Sequence, residues 1–284
     1  MGGALARRLQ LSHKLHVFDL NPKAVAELAA LGATPAASPA ELARQCDVIL
    51  ICVPRSANVR QAIFGPNGLI EGLFPGKIVI DQTSGNPTET RKMAAELANH
   101  GVVMLDAPVS GGAKGAAAGT ISIMVGGAKD DFTKASPIFA AISPNVAYCG
   151  DIGTGQVLKL INNTVSTCNR FALLEGVALG LTNGLDLETM TSVLSKGSAN
   201  SKALDNILPH LIRGEKGPLF ALSLMLKDLN LGAELAIESG VPNQFGQLAR
   251  GMLQAASNAY GPEANIDETA DLVAAQVGID IRKR

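Results

Sequence analysis

The chain has 284 residues, 47% of them hydrophobic, enough for two domains with sizeable cores. A formal net charge of −1, 4% aromatics and no tryptophan exclude the electrostatic footprint and stacking platforms of a nucleic-acid binder, and the basic field of an anionic-membrane binder. No apolar run approaches the roughly 20 residues that span a bilayer. Arg7 and Arg8 precede no apolar segment, so the N-terminus does not read as a signal peptide. The four cysteines (Cys46, Cys52, Cys149 and Cys168) show no CxxC or Cys/His metal spacing. Three of them lie in apolar runs and read as buried reduced thiols, a composition that suits a reducing cytoplasm, with no metal site expected.

In chain order, residues 14–18 read as a strand ending at Asp19, and 22–31 as a helix with proline at its start. Residues 47–53, 77–81 and 102–106 are continuous apolar runs, the mark of strands buried on both faces. Residues 120–125 alternate and predict a strand nearer a sheet edge, and 145–149 a last strand. Strands alternating with helical patterns predict a parallel sheet with crossover helices. The character changes after Gly150. Residues 155–182 carry only Lys159, Arg170 and Glu175 as charges and predict a helix of roughly 40 Å, able to link two domains. Helical patterns follow at 187–196, 203–213, 222–239, 244–260 and 267–276, with no strand signal. The expected architecture is a Rossmann-like α/β domain over 1–152 and an all-helical domain over 153–284.

A dinucleotide fingerprint runs strand, G-x-G-x-x-G, helix, strand, acid. The chain opens Met1-Gly2-Gly3-Ala4-Leu5, a helix with small residues where it must pack on a sheet, followed by the 14–18 strand and Asp19. With Gly2 as the third glycine, Asp19 falls at the required spacing. The first strand and first two glycines are then absent from this sequence, and the expectation is a natural protein that starts upstream. Asp19 is placed to accept hydrogen bonds from ribose hydroxyls. With no arginine after it, NAD is favoured over NADP, Lys23 leaving NADP open.

Three further segments carry chemistry. Asp106-Ala-Pro-Val-Ser-Gly-Gly ends in a serine hydroxyl and two glycines, Ser110, Gly111 and Gly112, that can hold a carboxylate or simply turn. Lys159 and Asn163 stand one turn apart on the apolar helix, with Asn162 beside them. An isolated lysine usually reaches solvent, but two amides on an otherwise apolar helix favour a site. Lysine can give a proton to a hydroxyl or take one from it. Lys227-Asp228, by itself, reads as an ordinary exposed charge pair.

Together these segments resemble the β-hydroxyacid dehydrogenase family, nearest its 3-hydroxyisobutyrate and tartronate semialdehyde branches. The matching segments are Phe18-Asp-Leu-Asn-Pro, Asp106 through Gly112, Gly119-Thr120 through Gly127, Gly153-x-Gly-x-x-x-Lys-x-x-Asn-Asn and Lys227-Asp-Leu, in the family's order across nearly the whole chain. The resemblance implies Lys159 as the catalytic lysine, with Asn163 beside it on the substrate. It implies Ser110, Gly111 and Gly112 around the substrate carboxylate, and Phe220 walling the pocket. Gly2, Asp19, Val53, Pro54 and Asn58 would serve the adenosine and ribose side of the cofactor, and Thr83 and Ser84 the nicotinamide end. Lys227 would reach the cofactor, steadied by Asp228. Gly85-Asn86 after Ser84 departs from the usual family sequence.

The implied activity is hydride transfer between NAD(H), or NADP(H), and a small β-hydroxyacid or its semialdehyde. Asn162-Asn163 leans toward the 3-hydroxyisobutyrate branch; tartronate semialdehyde, a sugar acid and succinic semialdehyde are the alternatives. A catalytically silent dinucleotide-binding or oligomerisation module is the alternative of another class. The resemblance also implies a homodimer or homotetramer assembled through the helical half.

Overall fold

The structure is a computed structural model in which residues 1–282 are described. Two units divide the chain, Met1–Lys159 and a second from Leu160 onward. Strands and helices alternate in the first and helices fill the second, the architecture the hydrophobic pattern predicts.

The first unit opens with α1 (Gly2–Leu9), β1 (His16–Val17), α2 (Pro22–Ala29) and β2 (Thr34–Pro35). Asn21 caps α2 by accepting the Lys23 N–H, and Pro22 preorganises its first turn. There follow α3 (Pro39–Gln45), β3 (Val48–Ile51), α4 (Ser56–Phe64), β4 (Ile78–Asp81), α5 (Pro87–Ala98), β5 (Val103–Asp106) and β6 (Val109–Ser110). The unit continues through α6 (Gly112–Ala118), β7 (Ser122–Gly126), α7 (Lys129–Ile142) and β8 (Val146–Gly150). β1 pairs with β2 in a parallel two-stranded sheet. The larger sheet runs β3-β4-β5-β7-β6, with β8 on β7. The strand expected at 14–18 therefore lies in a different sheet from β3, and each occupies an edge.

The larger sheet departs from the expectation in one way. It is mixed: β3, β4 and β5 are parallel, but β7 runs antiparallel to β5 and β6. The strand expected nearer an edge at 120–125 is β7; it lies one strand in from the edge strand β8, is buried from Ile123 to Gly126 and runs reversed. The reason is α6, a two-turn helix too short for a full crossover, so the chain re-enters the sheet reversed.

Buried strands sort their side chains by alternation. Ile78 and Ile80 of β4 and Leu105 of β5 join α1 and α7 in one core; Val79 and Met104 join α3, α4 and α5 in another.

α8 (Thr154–Thr182) begins in the first unit and continues into the second; its 29 residues make it about 43 Å long. The second unit adds α9 (Leu187–Leu194), α10 (Lys202–Ile212), α11 (Leu222–Ser239), α12 (Gln244–Tyr260) and α13 (Glu268–Val277) around one core that includes Phe171, Leu174, Leu208 and Leu253. Arg170 is largely buried there, paired with Asp267 at 3.0 Å. Burial pulls its guanidinium down from the ordinary value against the opposing pull of Asp267.

Candidate active site

The strand ends of the first unit collect most of the predicted cofactor residues. Gly2 starts α1 where a Cβ would lie 3.4 Å from both the Cβ and the carbonyl oxygen of Cys52, so the helix start packs closely on the end of β3. This is the packing role of the third glycine in a dinucleotide fingerprint. The cysteine reading needs correction in degree: all four thiols are free but only partly buried. Burial nevertheless pushes the Cys52 thiol up to about 11. Val53 follows, and its N–H donates to the hydroxyl of buried Thr83 at 3.1 Å. Pro54 is exposed, and Asn58 is exposed in the first turn of α4. Ser84 is partly buried beside Thr83.

The unusual Gly85-Asn86 pair has a physical explanation. A Cβ at Gly85 would stand 2.5 Å from the Ser56 hydroxyl oxygen, so a side chain there would force that hydroxyl to move. Ser56 is occupied in accepting the Asn86 N–H at 2.8 Å. The Asn86 side chain then caps α5 by accepting from Thr88 and Glu89.

Asp19 also follows a strand end of this unit. It is exposed at the end of β1, and one carboxylate oxygen accepts the Asn21 N–H at 2.8 Å. Ser110 closes β6, opposite Ser122 of β7. Gly111 and Gly112 follow at φ of +134° and +69°, conformations that strain any residue with a Cβ. A Cβ on Gly112 would meet nothing within 4 Å, so its backbone faces open space.

Lys159 lies in the second turn of α8 and is 7% exposed. The first turn is held by residues that sequence reasoning did not single out. The Asp106 carboxylate, fully buried at the end of β5, accepts the N–H groups of Gly153 at 2.6 Å and Gln156 at 2.7 Å. It thereby satisfies donors that a helix start leaves without partners. Burial raises the Asp106 carboxyl above the ordinary value, outweighing those two hydrogen bonds and the nearby Arg91. Added Cβ atoms on Gly126 or Gly155 would collide with Asp106 oxygens. Asp106 was visible as part of a motif, but nothing in the sequence marked its partners some 50 positions away.

In the second unit, Asn163 is 4% exposed and donates to an Asp228 carboxylate oxygen at 2.6 Å. Its own amide oxygen accepts from Asn162 at 2.9 Å, so the amide is oriented from both ends. Lys227 approaches the other Asp228 oxygen at 3.0 Å, with both side chains nearly enclosed, not exposed as the isolated dipeptide suggests. α11 packs close to α8 here, since a Cβ on Gly232 would lie 3.1 Å from the Thr164 hydroxyl. Phe220 is 37% exposed, and its carbonyl accepts the Ile266 N–H, beside the bridge between Ala221 and Asn265.

Comparison with known proteins gives these residues their setting. Residues 1–150 match the family described as the NAD binding domain of 6-phosphogluconate dehydrogenase. Residues 153–273 match the family described as NAD-binding of NADP-dependent 3-hydroxyisobutyrate dehydrogenase. A probable mitochondrial 3-hydroxyisobutyrate dehydrogenase of Dictyostelium discoideum is 37% identical over 258 residues, 88% of this chain and 80% of the relative. The chain belongs to the β-hydroxyacid dehydrogenase family. Among solved structures, 3-hydroxyisobutyrate dehydrogenase from Salmonella typhimurium superimposes with a TM-score of 0.83 at 32% identity, covering 95% of each chain. Psf3, solved in complex with NADP+ and 2-OPP, superimposes with a TM-score of 0.86 at 28% identity, covering 96% of each.

As a family member the protein is an NAD(P)-dependent dehydrogenase acting on a CH–OH group, moving hydride between the cofactor and a small hydroxyacid or its semialdehyde. The residues present fit the cofactor. α1 begins with two glycines and no capping side chain, and Asp19 offers an exposed carboxylate. No helix among the described residues is long and apolar enough to cross a membrane.

Proposed function

We propose that the protein is a 3-hydroxyisobutyrate dehydrogenase-like enzyme in which Lys159 exchanges the proton of the substrate hydroxyl. The observation that carries this reading is a lysine only 7% exposed on a stretch of α8 that otherwise bears no charge until Arg170. Burying an ammonium without a task is costly, and a buried lysine suits proton exchange. The bound nicotinamide supplies the hydride acceptor for oxidation and the donor for reduction. Lys159 takes the hydroxyl proton as the alcohol is oxidised and returns it to the oxygen on reduction. Its positive charge also steadies the negative charge that develops on that oxygen.

Asn163, oriented by Asp228 and Asn162, holds the substrate oxygen in line. Ser110, Gly111 and Gly112 take the carboxylate through a hydroxyl and backbone N–H groups, with Phe220 against the carbon chain. Gly2, Asp19, Val53, Pro54 and Asn58 serve the adenosine half of the cofactor, Thr83 and Ser84 the nicotinamide end, and Lys227 with Asp228 the cofactor from the helical side. Asp19 favours NAD, because a carboxylate repels a 2′-phosphate. We place the boundary between the cofactor domain and the helical domain at 152/153, the enzyme in the cytoplasm, and its assembly as a homodimer or homotetramer. Exposed Leu179, Ile237, Phe245 and Leu248 support assembly through the helical half.

The test follows NADH absorbance with 3-hydroxyisobutyrate, tartronate semialdehyde, a sugar acid and succinic semialdehyde. Fastest turnover of 3-hydroxyisobutyrate supports the reading. Preference for another member of the panel changes the substrate, and no turnover of any overturns the reading.

A further inference from the structure

We propose that Gln156 is a positioning residue for Lys159, locking the first turn of α8 to the ends of β4 and β5. The inference rests on the reading of Lys159 as the proton-exchanging group. Gln156 is fully buried, three residues before Lys159 on the same helix. Positions i and i+3 share a helix face, about 4.5 Å apart along the axis. Whatever fixes the rotation and height of Gln156 also fixes those of Lys159.

Three hydrogen bonds fix Gln156, each to a different backbone or carboxylate group. Its amide nitrogen donates to the Thr83 carbonyl at 2.7 Å. Its amide oxygen accepts the Gly85 N–H at 2.9 Å. Its backbone N–H donates to Asp106 at 2.7 Å. The amide thus spans both sides of Ser84, in the segment assigned to the nicotinamide end, while Asp106 anchors the helix start. One side chain ties a cofactor loop and a proton-transfer helix into one frame.

Close packing removes slack from that frame. A Cβ on Gly155 would collide with the Met124 carbonyl and lie 2.8 Å from an Asp106 oxygen, and a Cβ on Gly85 would force the Ser56 hydroxyl to move. A core that needed only filling would take leucine or methionine at this position without the need to satisfy two buried amide groups. An amide bonded through both ends specifies orientation. Misplacement of a reacting group by about 1 Å can slow turnover on the order of 100-fold.

The experiment is steady-state kinetics on the full chain with Gln156→Met, Lys159→Ala and the double variant, using whichever member of the hydroxyacid panel turns over fastest. Melting curves confirm that each variant is folded. Gln156→Met should lower kcat on the order of 100-fold while KM for hydroxyacid and NAD stays within about threefold. The double variant should be no slower than Lys159→Ala alone. Should Gln156→Met fail to fold, Gln156→Glu, which retains the acceptor for the Gly85 N–H, is combined with Lys159→Ala and judged by the same two criteria. The proposal is overturned by a kcat within about threefold of the parent, by a loss confined to KM, or by a Gln156 factor that multiplies fully onto that of Lys159→Ala. Near-native turnover of Lys159→Ala would instead remove the reading of Lys159, and the positioning role with it.

Discussion

The two units bury polar groups by different means. In the first, the partners are mostly backbone: Asp106 accepts the N–H groups of Gly153, just before α8, and of Gln156 in its first turn, and Gln156 bonds a carbonyl and an N–H of the loop after β4. In the second, the partners are mostly side chains: Arg170 with Asp267, Asn163 with Asp228 and Lys227 with Asp228. Strand ends and helix starts present unpaired backbone groups in directions set by the fold. Helices packed flank to flank present almost none, so a polar group buried between them needs another side chain. The first unit therefore holds its geometry through the backbone and its glycines, and the second through pairs that fail when one member is removed.

Five substitutions test this contrast, from the largest effect to the smallest. Lys159→Ala should lower kcat about 1,000-fold with NAD affinity changed by no more than about twofold, measured by NADH absorbance and NADH titration. Asn163→Ala should cost less, since it orients the substrate and exchanges no proton. A greater loss at Asn163 would move the chemistry toward the helical unit. Asp267→Ala leaves a largely buried guanidinium without its carboxylate, and also strips the Gly217 N–H of its acceptor. It should cost about 3–5 kcal/mol in denaturant unfolding; a loss below about 1 kcal/mol would show that the pair is solvated.

Gly155→Ala tests the backbone-held unit. The added methyl would push against the Met124 carbonyl and Asp106, at a cost of about 1–3 kcal/mol, with kcat falling as the helix start shifts. The smallest effect concerns Cys52. Its thiol rises to about 11 in the folded chain, against 9.0 for the free group. The unfolded chain therefore loses this proton first as pH rises, and stability falls between those values and levels above them. Cys52→Ala should flatten that part of the decline in melting temperature; an unchanged slope would assign the decline to other groups.

Much of the fold was legible because its signals are local. Apolar runs marked β3, β4 and β5, and helical periodicity gave α11 and α12 their observed bounds. The reversal of β7 was not legible, because it depends on the length of α6, which no pattern in its Gly/Ala-rich sequence announces. The site was legible as types of residue: a lysine and two amides on a sparsely charged helix, a serine before two glycines, an acid at a strand end. The buried state of Lys227-Asp228 was not, since a charge pair reads as exposed unless the facing helix is known.

By itself, the sequence determined the alternation of strands and helices, the sparsely charged helix that carries Lys159 and the glycines that free the backbone after Ser110. Each follows from interactions within a few residues or from the steric needs of one residue. Only the tertiary structure decided that Asp106 and Gln156 clamp the start of that helix and that Asn163 is oriented by Asp228. Those partners stand about 50 to 70 positions apart, and hydrogen bonds at that separation exist only once packing has brought the elements together.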